Sequence, residues 1–201
     1  MNDEHDAYYD YAPTIALGRP LALTGFMGAG VVDVASSLST RTGLSLIEIP
    51  RWAEHTAGKS LSHVVLREGE KKLRALERDA VLRALRDRPF GILALGDGTL
   101  LDDEARELLR RNATIVYLRR DLSTLFRQVR TELNQSPGCY PEWMLSPPTD
   151  EEALAPLFDK RRPGYETAHV IIDAGTRGST ALAEEILLGL KSGALHGTLK
   201  A

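Results

Sequence analysis

Short apolar runs alternate along this chain with longer stretches whose apolar residues recur every three or four positions. Pro20–Thr24 is such a run and predicts a buried first strand. Val31–Arg41 follows as a helix, with Val34, Ala35 and Leu38 on one face. Ser45–Ile49 predicts a second strand, stopped by Pro50. Trp52–Ala57 reads as helical and Gly58 closes it. Ser60 opens another helical stretch through Val64, Val65 and Leu66, which Gly69 breaks. Glu70–Arg86 is a long helix carrying Leu73, Leu76, Ala80 and Leu85 at helical spacing. Gly91–Leu95 is a third strand. Asp102–Arg111 is helical, Ala113–Leu118 is a fourth strand and Leu122–Leu133 a further helix. Asn134–Thr149 holds four prolines and a glycine and predicts an irregular loop. Glu151–Arg161 is helical, His169–Asp173 is a fifth strand and Thr180–Leu190 the last helix. Met1–Arg19 reads as a loosely ordered arm and the tail from Ser192 as frayed. Strands alternating with helices imply an α/β fold with a parallel sheet covered on both faces.

Composition adds exclusions. The 201 residues suffice for one full-sized domain with a substantial core. Hydrophobic residues make up 43% and charged residues 26%, with a formal net charge of −3, so no general attraction to nucleic acid or a membrane surface is expected. The start of the chain lacks the features of a signal peptide, and no apolar run reaches the length of a membrane span. The single cysteine, Cys139, rules out an internal disulfide framework and suits a reducing compartment. A cytoplasmic location is expected. His5, His55, His63, His169 and His196 form no metal-ligand spacing with one another or with Cys139, so no metal site is expected.

The chemistry concentrates after the first strand. Gly25-Phe-Met-Gly28-Ala-Gly30 fits the glycine spacing of the phosphate-binding pattern G-x-x-x-x-G-K-[ST]. In that pattern the glycines shape the loop, the lysine contacts the terminal phosphates and the hydroxyl holds magnesium. Here Val31 replaces the lysine and Val32 the hydroxyl residue. Asp33 follows in the first turn of the helix, where a carboxylate suits the helix dipole and takes the electrostatic role of a bound phosphate. Either the loop repels nucleotide phosphate, or the valines pack and Asp33 caps. Both readings oppose strong ATP binding.

With E-G-E-K-K-L-R-A-L-E at Glu68–Glu77, the Gly96-Asp97-Gly98 turn after strand three and R-R-P-G-Y at Arg161–Tyr165, this loop resembles shikimate kinase, a small P-loop kinase of the nucleoside-monophosphate-kinase type. The resemblance runs from about Leu21 to Leu190. It implies a three-layer P-loop kinase fold with a five-stranded parallel sheet of order 2-3-1-4-5. A small helical substrate-binding subdomain is expected at about residues 50–79 and a lid at about 133–150. The domain would span residues 20–190, between an arm of residues 1–19 and a tail of 191–201.

The resemblance also assigns positions. Gly25, Gly28, Gly30, Val31 and Val32 stand in a degenerate nucleotide site, and Arg130 resembles an adenine-side arginine or is a surface helix residue. Glu48 stands where the family has a magnesium-associated carboxylate, or is a solvated strand-end charge. Pro50 replaces the family's candidate base, and proline accepts no proton. Asp97 is an ordinary turn aspartate or a transplanted base, so Glu48 and Asp97 are only weak catalytic candidates. Tyr140, before Pro141, replaces the lid arginine. Arg74, Glu77, Gly96, Gly98 and Arg161 match the substrate side. Two guanidiniums converging on one small acid make a bidentate pocket; the alternative is solvated helix arginines.

These substitutions lead to the expectation of a kinase-like protein without efficient ATP-dependent phosphoryl transfer, a pseudoenzyme acting as a small-acid-binding or regulatory module. A protein partner, or an oligomer engaging Tyr8, Tyr9 and Tyr11, is a further possibility. The alternative is a divergent active shikimate kinase, a transferase that uses ATP and Mg2+ to phosphorylate the shikimate 3-hydroxyl in aromatic amino acid biosynthesis.

Overall fold

The computed structural model describes residues 15–136, 140 and 147–193. The arm tyrosines, His5, Cys139, Pro141, His196 and most of the expected lid and tail lie outside the described residues. The element order is β1 (Leu21–Thr24), α1 (Val31–Thr42), β2 (Leu46–Glu48), α2 (Ile49–Ala57), α3 (Leu61–Glu68), α4 (Glu70–Asp87), β3 (Ile92–Ala94), α5 (Asp103–Asn112), β4 (Thr114–Arg119), α6 (Leu122–Gln135), α7 (Glu151–Tyr165), β5 (Val170–Asp173) and α8 (Ser179–Lys191). A short 3-10 turn, Thr99–Leu101, links β3 to α5.

The five strands pair in parallel in the order β2-β3-β1-β4-β5, as the sequence predicted. Successive strand residues point to opposite faces, so a central strand covered on both sides is apolar throughout. Leu21 and Leu23 of β1 join Ile92, Val116 and Leu118 on one face, under Val34 and Leu38 of α1 and Leu182 and Ile186 of α8. Ala22, Leu93, Ile115 and Tyr117 face the other way, under α4, α5, α6 and α7 through Leu76, Leu109, Val129 and Leu154.

The chain leaves β1 for β2, returns to β3 and then crosses to β4 on the far side of β1. This reversal opens a crevice at the carboxyl ends of the strands around β1, the place where such sheets take ligands. β2 and β3 are joined by α2, α3 and α4, and both shorter helices pack on α4.

Two helix boundaries depart from expectation. The second helix begins at Ile49, directly after β2, instead of at Trp52, and takes Pro50 into its first turn. A first-turn residue has no intrahelical partner for its N–H, so proline fits there. Pro50 therefore belongs to the helix start. The seventh helix runs past Arg161 to Tyr165 and includes Pro156 and Pro163. Packing of its last turn outweighs the lost hydrogen bonds, since Arg161 and Tyr165 are both buried.

Candidate functional site

The glycine loop leaves β1 at Thr24 and feeds α1. Gly28 and Gly30 have φ of 77° and 76°, the left-handed region that suits glycine. A Cβ on Gly28 would also stand 2.9 Å from the Leu125 carbonyl oxygen. The Ala29 N–H donates to the Phe26 carbonyl at 2.9 Å and closes the turn. Arg120 supports the loop from behind. Its Nε donates to the Ala29 carbonyl at 3.2 Å and its Nη2 to the Arg177 carbonyl at 2.9 Å, while Nη1 donates to the Gly175 carbonyl. Burial first, and the Arg177 charge second, hold the Arg120 pKa below its ordinary value.

The side chains on this frame are apolar where chemistry was expected. Val31 packs against both core clusters, and Val32 is 43% exposed. Asp33 is exposed in the first turn of α1. Tyr140 reaches the loop from across the cleft. Its hydroxyl accepts the Gly28 N–H at 3.0 Å and donates to the Glu132 carboxylate on α6.

The opposite wall is built by α4 and the turn after β3, with α7 behind that turn. Arg74 Nη1 donates to Glu77 Oε2 at 2.6 Å and Nη2 to Glu70 Oε1 at 3.1 Å. Burial opposes the Arg74 charge, but the charge of Glu77 and its hydrogen bond outweigh burial and raise the pKa. Burial raises the Glu77 pKa, with Arg74 opposing and Asp97 adding to the rise. Gly96 and Gly98 make room for this pair: a Cβ on Gly96 would fall 2.1 Å from Glu77 Oε1, and one on Gly98 2.2 Å from Arg74 Cζ.

Arg161 Nη1 donates to Asp97 Oδ2 at 2.5 Å. The guanidinium lies 5.8 Å from the Phe26 ring centroid, and Phe26 meets Phe158 edge-on at 5.3 Å. The Tyr165 hydroxyl donates to the Asp97 carbonyl. Tyr165 itself stacks on Tyr117 of β4 with centroids 5.1 Å apart.

These parts enclose a cleft of about 810 Å3. It is lined by the whole loop from Gly25 to Asp33, by Glu48 and Pro50, by Arg74, Glu77, Gly96 and Asp97, and by Gln128, Glu132 and Tyr140. The structure thus brings most of the sequence-predicted residues to one cavity and leaves three off its wall. Arg161 lies behind Asp97 with its side chain fully buried. Gly98 is covered by Arg74. Arg130 turns away, donating to the Thr149 carbonyl at 3.3 Å and standing over the Phe126 ring. Glu48 lines the cleft but accepts from Arg51 Nη1 at 3.3 Å.

Sequence reasoning missed Arg51, Glu54, Gln128 and Glu132, which also line the cleft. Their signal was weak, because each sits on an amphipathic helix whose polar face looks solvated. Among the described residues, six carboxylates (Asp33, Glu48, Glu54, Glu77, Asp97, Glu132) line the cleft against two guanidiniums, Arg51 and Arg74. No described helix is long and apolar enough to cross a membrane.

Comparison with known proteins agrees with this architecture. The shikimate kinase family profile matches residues 27–191. Shikimate kinase from Salinibacter ruber is 32% identical over 76% of this chain and 75% of the relative. Shikimate kinase from Paramagnetospirillum magneticum is 31% identical over 87% and 85%. Among solved structures, the shikimate kinase from Acinetobacter baumannii in complex with shikimate superposes with a TM-score of 0.74 at 26% identity, covering 90% of this chain and 96% of that one. The Aquifex aeolicus enzyme shares the fold with a TM-score of 0.67 at 23% identity, over 89% and 99%. Sheet order, glycine loop, the arginine–glutamate pair and these matches lead to one conclusion: the chain belongs to the shikimate kinase family.

Proposed function

We propose that this member of the family does not transfer phosphate from ATP efficiently and acts as a cytoplasmic small-acid-binding or regulatory module. The observation that carries the reading is the glycine loop, which keeps its backbone path while offering Val31 and Val32 where a cation and a metal-holding hydroxyl are needed. ATP and magnesium are what the family implies, and the residues at hand do not fit them. The Val32 side chain has no oxygen, Pro50 has no acceptor side chain, and Glu48 is paired with Arg51. The carboxylate excess along the cleft adds repulsion toward a polyphosphate.

Phosphoryl transfer rests on positioning and charge neutralisation. Loss of one preorganised electrostatic donor costs about 2.7–4 kcal/mol in other enzymes, and the loop lysine is only one of the groups missing here. The losses need not add, yet two of them remove most useful rate. The acid-binding half of the reading rests on Arg74, Glu77 and Arg161, grouped with Gly96 and Gly98. In this reading α2, α3 and the first half of α4 form the ligand subdomain and residues 133–150 the lid. The A. baumannii relative was solved with shikimate, so shikimate is the first acid to try.

The test is a coupled ADP-release assay with shikimate, beside a thermal-shift titration with ATP and magnesium. Turnover far below the roughly 1–100 s−1 of ordinary kinases is expected. Turnover inside that range supports the second reading instead, an active kinase that phosphorylates the shikimate 3-hydroxyl. The names of the relatives favour that reading. It needs a replacement cation, and Lys59, on the small subdomain, is held by Glu68 at 2.5 Å.

A further inference from the structure

The Asp97 side chain lies between the cleft and the buried guanidinium of Arg161. Asp97 lines the cavity, with 22% of its side chain exposed, while the Arg161 side chain is 0% exposed. A ligand carboxylate approaching Arg161 from the cleft arrives where the Asp97 carboxylate already is. The position is held from several sides. The Tyr165 hydroxyl binds the Asp97 carbonyl, and the Phe26 ring lies beside Arg161. On either flank, Glu77 presses on Gly96 and Arg74 on Gly98. The negative charge of Asp97 acts on Arg74 as well as on Arg161. Arg74 is thus shared among Glu70, Glu77 and the field of Asp97, with Lys160 also on Glu70, and Arg161 holds Asp97 before any ligand enters.

We propose that Asp97 is an internal stand-in for a ligand carboxylate: it occupies the Arg161 end of the acid pocket and sets the affinity and specificity of that pocket. The proposal rests on the acid-binding reading of the same site. An incoming carboxylate binds by displacing Asp97 from Arg161, and a ligand whose polar groups are hydroxyls meets no such competitor. Hydrogen bonds to charged groups are the strong ones, so exchanging one carboxylate for another on one guanidinium yields little net affinity. The same pocket emptied of Asp97 loses the carboxylate now held by Arg161 Nη1, and a small anion can take that place.

The experiment uses the full chain, Asp97→Gly and Asp97→Asn. Glycine opens the seat; asparagine keeps the shape, removes the charge and provides a second reading if the glycine variant does not fold. Shikimate binding is measured by isothermal titration. Thermal unfolding is measured in sodium formate against sodium chloride at equal ionic strength. At least about tenfold tighter shikimate binding by the variants than by the parent is expected, together with a formate-dependent rise in the variants' melting temperature that the parent lacks. Equal or weaker shikimate binding by the variants, with the parent binding, overturns the proposal and leaves the acid-binding reading standing. Formate rescue with no shikimate binding by any protein supports Asp97 as a carboxylate stand-in and removes shikimate as the ligand. Neither binding nor rescue overturns both.

Discussion

The guanidinium of Arg74 lies against the backbone of Gly98, so close that a Cβ there would stand 2.2 Å from Arg74 Cζ. The close approach lets a helix side chain bridge Glu77 and Glu70 beneath the turn after β3. Gly98→Ala is expected to push Arg74 out of this seat and to destabilise the fold by about 1–3 kcal/mol, the cost of leaving buried polar groups unsatisfied. Urea denaturation measures this directly. An unchanged midpoint would show that the guanidinium yields freely.

The Arg74–Glu77 pair is buried on both sides. Breaking one partner of such a pair is costly, whereas replacing both with apolar groups of similar size is often tolerated. Arg74 keeps Glu70 when Glu77 is lost, so Glu77→Leu alone is expected to destabilise by about 1–3 kcal/mol, and Arg74→Met with Glu77→Leu by clearly less. A double variant as unstable as the sum of its parts would refute coupling between them.

In the proposed reading the glycine loop is a phosphate cradle that lacks a cation and a hydroxyl at Val31 and Val32, which substitution can supply. Val31→Lys with Val32→Ser is expected to tighten ATP–magnesium binding by at least about tenfold, because a charged donor and a metal-holding hydroxyl return together. The lysine stem can cover the apolar surface that Val31 now covers. Calorimetric titration checks the gain. No gain would shift the cause to Tyr140, whose hydroxyl sits on the Gly28 amide, and Tyr140→Phe in the same background would test that.

His169 supplies a pH dependence of known sign. Its Nδ1 accepts the Ile115 N–H at 3.0 Å, which requires the unprotonated nitrogen. Burial first, and the Arg19 and Arg110 charges second, lower its pKa from the ordinary 6.5. The unfolded chain therefore binds more protons than the native one between the lowered value and 6.5, and stability falls as pH drops through that window. His169→Asn keeps an acceptor facing Ile115 and is expected to flatten the slope. Urea midpoints between about pH 5 and 8 compare the two proteins, and parallel slopes would exclude His169 as the source.

The sequence made the sheet legible because its strands are short apolar runs bounded by glycine and proline, and because family landmarks ordered them. The altered loop was equally plain, since Val31, Val32 and Pro50 can be seen without coordinates. The partners of the charged residues were not. Asp97 meets Arg161 across 64 positions and Tyr140 meets Gly28 across 112. No local periodicity encodes such pairs. Reading Pro50 as a strand stop also misplaced the start of α2, and the end of α7 was set four residues early. At Pro50 the first-turn exception applies, and at Pro163 the packing of Tyr165 on Tyr117 prevails over local propensity.

Arg120 ties Ala29 of the glycine loop to Gly175 and Arg177, which lie before α8. None of these bonds involves a loop side chain. The course of the loop backbone is therefore secured from the rear, independently of what Val31 and Val32 present to the cleft. Substitutions at Val31 or Val32 leave this rear anchorage of the main chain untouched.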